Sequence, residues 1–240
     1  MDTKNEVPNV INWIKNYVHN SGARGVVVGN SGGKDSAVVI ALATKALGSE
    51  NVTGIIMPCH SNLKDLDDAK LVTETFKIKS MTIDLTESYN QMENYMNFIL
   101  SKEAAINVKP RLRMTTLYAI AQTLGYLVIG TSNLSEITVG YTTKWGDAVS
   151  DFNPLANFLM EEVLEIGKEL GVPEKILSKP PADGLSELTD EQKMGVSYKE
   201  ISNYILNKKA SNDEITEKIQ KLYDNSKHKR NGIEVYKREN

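Results

Sequence analysis

Helix-type and strand-type periodicities alternate along most of this chain with short connections between them, a pattern that restricts the fold to parallel βαβ units with helices covering a sheet. Val7, Val10, Ile11, Ile14, Tyr17 and Val18 fall on one helical stripe between Val7 and Asn20, which Ser21-Gly22 ends. Gly25 to Gly29, with three consecutive valines, reads as a strand buried on both faces. Ser36 to Leu47 is the next helix, stopped at Gly48, and Asn51 to Met57 the next strand, stopped at Pro58. Asp65 to Lys77 then reads as a helix and Met81 to Leu85 as a strand. Helices follow from Thr86 to Ser101 and from Leu112 to Leu124, with Met92, Met96 and Ile99 expected to face the core. Tyr126 to Gly130 is the fourth strand. Thr131 to Asp151, rich in Thr, Ser and Gly, is expected as a loop with a short strand near Ile137 to Tyr141. The last third is more helical, with helices predicted at Phe158 to Leu170, Ser197 to Asn207 and Asp213 to Ser226. Lys179 to Asp190, with two prolines and few large apolar residues, is expected to be a mobile loop. No shift in composition marks a boundary, so residues 1–240 read as one α/β domain with a helical C-terminal third.

The segment Val26-Val27-Val28-Gly29-Asn30-Ser31-Gly32-Gly33-Lys34-Asp35-Ser36 runs from strand through glycine turn into helix. Such a junction is an anion site: glycines let the backbone approach an oxyanion, and the first N–H groups of the helix point at it with the dipole behind them. Ser31 and Ser36 add hydroxyl donors. A Walker loop requires Ser or Thr directly after Gly-Lys, and Asp35 follows Lys34 here. The dinucleotide fingerprint requires glycines spaced two and then three apart, which Gly29, Gly32 and Gly33 are not. The plain alternative is a tight turn with an N-capping Ser or Asp.

Composition narrows the partners. A formal net charge of -3 with 25 % charged residues lacks the basic surplus of a dedicated nucleic-acid binder. Apolar runs such as Ala37 to Ala43 fall far short of the roughly 20 residues that span a bilayer. A single cysteine, Cys59, excludes an internal disulfide, and with no charged-then-apolar leader the expected location is the cytoplasm. His19 and His60 have no ligand spacing to another His or Cys, which argues against zinc.

Ser31-Gly32-Gly33-Lys34-Asp35-Ser36 resembles the SGGxDS loop of the N-type ATP pyrophosphatases. Further segments are similar to the ammonia-dependent NAD synthetases of that superfamily: Val10-Ile11-Asn12-Trp13-Ile14, Asn107 to Met114, Gly130-Thr131-Ser132-Asn133-Leu134-Ser135-Glu136, Thr143-Lys144-Trp145-Gly146-Asp147, Leu170 to Pro173, Thr189-Asp190-Glu191, Gly195 to Tyr198 and His228-Lys229-Arg230. The resemblance implies a Rossmann-like sheet of the adenine nucleotide alpha hydrolase type. It implies ATP at Gly29, Asn30, Ser31, Gly32, Gly33, Lys34, Asp35, Ser36 and Thr131, and magnesium at Asp35 and Glu136. Deamido-NAD is implied at Arg111, Lys144, Asp151, His228 and Lys229, with Asp35, Glu136 and Lys144 central to catalysis. The implied partners are ATP, deamido-NAD and ammonia, in a homodimer whose interface involves Asn107 to Arg113 and Thr86 to Ser101.

Read as residues alone, Asp35 and Glu136 are hard oxygen ligands on two loops that meet at the carboxyl ends of adjacent strands, where magnesium would bridge them to phosphates. The alternative makes Asp35 a helix cap and Glu136 a solvated acid. The chain also departs from the family: Met160 stands where a lysine is expected, Ala182 where Ser or Thr is expected, and Ala148-Val149 where two glycines are expected. Met160 and Ala182 each remove a donor to ATP, at about 1.5–3 kcal/mol for a charge-assisted contact. Lys34 is the candidate replacement cation. Two rival functions therefore stay open, a paralogue that adenylates another carboxylate and a nucleotide binder without catalysis.

Overall fold

The computed structural model describes residues 3–180 and 189–238. In chain order the elements are α1 (Thr3–Asn20), β1 (Val26–Gly29), α2 (Lys34–Leu47), β2 (Val52–Ile56), α3 (Leu63–Phe76), β3 (Lys79–Thr82), α4 (Thr86–Tyr95), α5 (Lys102–Leu124) and β4 (Leu127–Val128). They continue with α6 (Leu134–Val139), α7 (Met160–Glu169), α8 (Glu174–Leu177), α9 (Asp190–Met194), α10 (Tyr198–Asn207), α11 (Asp213–Asn225) and α12 (Lys227–Arg230). The four strands form a parallel sheet in the order β3-β2-β1-β4, with Val27 registered on Thr53 of β2 and on Val128 of β4.

The three valines of β1 explain how the layers are held. Successive strand residues point to opposite faces. Val26 and Val28 pack with Ile14 of α1, Ile40 and Leu42 of α2 and Ile166 of α7. Val27 turns the other way, into a cluster with Ile55, Cys59, Leu117 of α5 and Val128. A third cluster joins Val139, Met160, Met194, Tyr198, Ile201 and Ile219 in the helical C-terminal third.

Five expectations from periodicity are corrected. The segment Ile137 to Tyr141 is not a strand: residues Leu134–Val139 form α6, because Asn133 and Glu136 close a capping box at its start and Gly140 ends it with φ of 68°. The helix from Thr86 stops at Tyr95 rather than Ser101, and Ser101 instead accepts a bond from the Ala104 N–H as the N-cap of α5. That helix begins at Lys102 rather than Leu112 and runs through Pro110, whose buried ring faces the Gly146 turn. Met92 lies on the solvent side of α4, whose buried face is Tyr89, and with the helix ended at Tyr95 Ile99 does not reach the core either and is 97 % exposed. Strand β3 begins two residues before its predicted start, and all its side chains are exposed.

One ion-pair cluster fixes the start of α3 against the chain just before residues 181–188, which lie outside the described residues together with Pro181 and Ala182. Lys179 Nζ donates to Asp65 Oδ1 at 2.6 Å and to Asp68 Oδ2 at 2.9 Å, and Lys175 Nζ lies 2.6 Å from Asp68 Oδ1. Burial works against the Asp68 carboxylate, but bonds from Lys175 and Lys179 outweigh it and hold the group below its usual range. A depressed carboxylate contributes stability above its unfolded pKa, near 3.9, and loses it as pH falls through the folded value. Asp68→Asn is therefore expected to cost about 1.5–3 kcal/mol in a urea titration at neutral pH. The gap between variant and native protein should begin to narrow as the pH falls below about 4 and close only below the depressed folded value.

Candidate functional site

The site is built outward from the turn after β1. Gly32 has φ of 74° and no space for a side chain: a Cβ there would lie 2.5 Å from the Asp65 carbonyl oxygen and 2.8 Å from the Ala69 nitrogen. Asn30 secures the same turn from beneath, its Nδ2 donating to the Ala69 carbonyl at 2.8 Å and to Thr73 Oγ1 at 3.2 Å while its Oδ1 accepts from the Gly32 N–H. Ser31 Oγ accepts from the Gly33 N–H and lies 3.1 Å from Ser36 Oγ. Gly33 is the N-cap of α2 and has no side chain to offer the first turn, so the start of the helix keeps the character of an anion seat.

Asp35, on that first turn, meets the loop after β4 through Asn133. The buried Asn133 amide donates to Asp35 Oδ1 at 3.0 Å, and its backbone N–H donates to Glu136 Oε2 at 3.1 Å. One asparagine thus holds both carboxylates. Burial first, then the charge of Asp35, pushes the Glu136 carboxyl well above the ordinary range, against the pull of Lys34 and of the Asn133 N–H. Lys34 Nζ lies 3.3 Å from Asp35 Oδ2 and 5.8 Å from the centre of the Tyr198 ring. Burial, then the charges of Glu136, Asp190 and Asp35, raise the Tyr198 hydroxyl, which donates to Asp190 Oδ2 at 3.4 Å; Tyr141 donates to the other oxygen at 2.9 Å.

This donor set suits a small hard cation. Magnesium is typically held by one or two carboxylates and completes its shell with water and substrate phosphates. Among the described residues no group of three or more His, Cys, Asp or Glu is arranged for a metal ion, so Asp35 and Glu136 would need oxygens from outside the protein.

The remaining predicted residues separate into two places. Arg111 on α5 and Lys144 come together, Arg111 Nε donating to the Lys144 carbonyl at 3.2 Å, while Lys144 Nζ sits 5.4 Å from the Trp145 ring. Their turn is held by Thr143, whose hydroxyl donates to Asn107 and whose N–H donates to Asp147. Lys229 reaches the same region, donating at 2.7 Å to both the Gly140 and the Thr142 carbonyls. Its ammonium is engaged with backbone, and burial holds it below the usual lysine range. His228 is exposed and pairs with the Asn225 carbonyl. Asp151 lies elsewhere, at the sheet edge, accepting from the Val128 N–H at 2.7 Å and from the Tyr118 hydroxyl at 3.4 Å. Burial and the Asp151 charge raise Tyr118 to about 12. Thr131, just beyond β4, is half-buried. Met160, where a lysine is expected, is buried in the apolar cluster with Val139 and Tyr198.

Sequence reasoning gave no role to three residues of this site. Asn133 carried a readable signal, an Asn three residues before a Glu at a helix start. Asp190 and Tyr198 lie in two of the segments that carry the family resemblance but had no local sign of a role, because only the packing of α10 on α6 and the bond from Tyr141 bring them to Glu136.

Comparison with known proteins agrees with this geometry. The family model described as NAD synthase matches residues 6–233. An NH(3)-dependent NAD(+) synthetase of Carboxydothermus hydrogenoformans is 42 % identical over 94 % of this chain and 94 % of its own length. That of Pyrococcus furiosus is 40 % identical over 92 % and 91 %. Among solved structures, NMN synthetase from Francisella tularensis superposes with a TM-score of 0.93 at 36 % identity, covering 98 % of this chain and 99 % of that one. NH3-dependent NAD synthetase from Campylobacter jejuni superposes at 0.82 with 26 % identity, over 99 % and 100 %. With its glycine turn, its Asp35–Asn133–Glu136 bridge and near-complete alignment to these relatives, the chain belongs to the NAD synthase family.

Proposed function

We propose that the protein uses ATP to adenylate the nicotinate carboxylate of deamido-NAD and lets ammonia displace AMP, giving NAD, AMP and pyrophosphate. One observation carries this reading: the phosphate turn and the carboxylate pair meet at a single point, through Asn133, in a chain alignable over nearly its whole length with ammonia-dependent NAD synthetases. A carboxylate oxygen of the acceptor bonds to the α-phosphorus as the bond from that phosphorus to the bridging oxygen breaks and pyrophosphate leaves. Ammonia then bonds to the activated carbonyl carbon, AMP departs with the former carboxylate oxygen, and a proton passes to solvent.

The residues act by placement and charge rather than as nucleophiles. The turn from Gly29 to Ser36 seats the phosphates of ATP: Asn30, Gly32 and Gly33 use their N–H groups to shape it, and the N–H groups of the first turn of α2, with the Ser31 and Ser36 hydroxyls and Thr131, are the donors. Asp35 and Glu136 would hold magnesium, which would supply positive charge to the departing pyrophosphate. Arg111 and Lys144 bind the anionic acceptor, Arg as a planar fork and Lys as a point charge. Lys229 holds the turn that carries Lys144, and the exposed His228 next to it faces the acceptor; Asp151, bonded to the Val128 N–H at the sheet edge, stands apart from this cluster and would meet the acceptor only at another point. Asp35→Asn and Glu136→Gln should each lower turnover by at least about a hundredfold, since each removes an anionic oxygen while keeping side-chain size. Near-native turnover by either variant at low magnesium would refute the metal assignment.

A shorter acceptor is the second reading, favoured by the superposition at 0.93 on an NMN synthetase against 0.82 and 0.78 for two NAD synthetases. Incubation with ATP, magnesium and ammonium, with deamido-NAD or nicotinate mononucleotide in parallel, separates the two. A higher kcat/KM for deamido-NAD is expected. The reverse order selects the mononucleotide, and absence of AMP with both leaves a nucleotide binder without catalysis.

The chain works as one domain and, in this reading, as a homodimer in the cytoplasm; no helix among the described residues is long and apolar enough to cross a membrane. Support for the dimer comes from the α4–α5 connection, where Tyr95, Phe98 and Ile99 stand 82, 66 and 97 % exposed beside the helix that carries Arg111. Sedimentation should give twice the chain mass, and a strict monomer that turns over deamido-NAD would refute this arrangement.

A further inference from the structure

Lys34 takes a position that helix geometry does not explain. Consecutive residues on a helix do not face each other, and a cation in the first turn opposes the helix dipole. Yet the Lys34 side chain is only 8 % exposed, and its ammonium folds back to within 3.3 Å of Asp35 Oδ2, on the side of Asp35 next to the Tyr198 ring. The other oxygen of Asp35 is held by Asn133, which also holds Glu136. The charged groups at this point are therefore Asp35 from α2 and Glu136 from α6, with Lys34 set against both, and Asp190 from α9 acts on Glu136 from behind, its oxygens held by Tyr141 and Tyr198. Two carboxyl groups facing one ammonium explain why a lysine is tolerated there: without it, Asp35 and Glu136 would face each other with only the Asn133 amide and N–H to offset their charge.

We propose that Lys34 is the resident counter-ion of the Asp35–Glu136 pair, and that it exchanges partners when metal and nucleotide arrive together, releasing the carboxylates and turning its ammonium to the phosphates at the start of α2. This rests on the reading of the turn as an ATP and magnesium site and extends it to a residue-level order of events. The physical basis is that a lysine ammonium and a divalent cation cannot share the same carboxylate oxygens at contact distance. A lysine ammonium is a mobile point charge on a four-carbon stem, so its new partner need only lie within reach. Phosphates seated on the first turn of α2 meet that requirement. It follows that a divalent ion alone competes with Lys34, whereas an ion arriving with phosphates does not, and the two ligands are coupled through this side chain. The same motion places a cation beside the phosphates although position 160 holds a buried methionine.

The test is a direct titration of Mn2+ as a spectroscopic substitute for magnesium, followed by electron spin resonance, on the native protein, Lys34→Met and Lys34→Gln, with and without α,β-methylene-ATP. Thermal melts establish that each variant is folded, and the glutamine variant serves if the methionine one is not. Removal of the resident charge should tighten binding of Mn2+ alone by about tenfold or more. The enhancement of Mn2+ affinity by the nucleotide analogue should shrink by a similar factor, because the analogue no longer relieves competition. Equal or weaker binding of Mn2+ alone by a folded Lys34 variant overturns the counter-ion role while leaving the amidation reading intact. Failure of the native protein to bind Mn2+ even with the analogue overturns both.

Discussion

Everything at the candidate site depends on how closely the turn after β1 lies on the backbone of α3. The turn can come that close because Gly32 has a positive φ and lacks the atom that would strike the Asp65 carbonyl. Asn30 then uses its whole amide to tie the turn to α3, donating to Ala69 and Thr73 and accepting from Gly32. With the turn held from below, the serine hydroxyls and the uncapped start of α2 are left on the upper side. Asn30 is in this sense a structural member of the phosphate turn. The ion pairs of Asp65 and Asp68 with Lys179 extend the same support to the chain that leads into residues 181–188.

A second constraint decides where Glu136 stands. Helix α6 is six residues long, too short to be stable alone, and is held at both ends. Asn133 caps its start and joins it to α2. Its last turn is held by the C-terminal cations: Arg230 donates to the Thr138 carbonyl at 3.0 Å, and Lys229 to Gly140 and Thr142. Gly140 is required at that junction, since a Cβ there would overlap the Ser226 side chain. The basic His228-Lys229-Arg230 run therefore does much of its work on backbone carbonyls, where cations near a helix C-terminus are favoured. Side chains from opposite ends of the chain position one carboxylate.

The distribution of charge follows from these contacts. Acidic groups from three helices converge at the phosphate end, where a divalent ion and the first turn of α2 would complement one another. Positive groups gather around Arg111 and Lys144, on the far side of the turn that rests on Pro110. One region suits a metal–triphosphate and the other an anionic acceptor, and the sheet separates their supporting elements while its carboxyl ends bring them together.

Much of the architecture was legible in the residues themselves. Three consecutive valines ahead of a glycine turn specify a strand buried on both faces, and the spacing of apolar residues in α1, α2, α10 and α11 specifies their packed faces; these signals are local, and backbone periodicity carries them. The Asn-x-x-Glu box is equally local, and with Gly140 at the other end it makes Leu134–Val139 a helix although Ile137-Thr138-Val139 are β-branched. The expected helix starts at Leu112, after Pro110, yet α5 runs through the proline because Val108 and Leu117 pack on either side of it and the Gly146 turn rests against its ring. Exposure of Ile99 follows from where α4 ends, and periodicity does not fix such a boundary; exposure of Met92 follows from which face of α4 packs, the one with Tyr89. Long-range pairing was decided only in three dimensions. Asn133 meets Asp35 across 98 residues and Lys179 meets Asp65 across 114, because strand order β3-β2-β1-β4 places β4 beside β1 and α3 beside the turn. The sequence by itself determined which chemical groups the protein has and the local shape of each segment; the tertiary structure decided which charges face one another, since Coulomb and hydrogen-bond energies depend on distance through space and not along the chain.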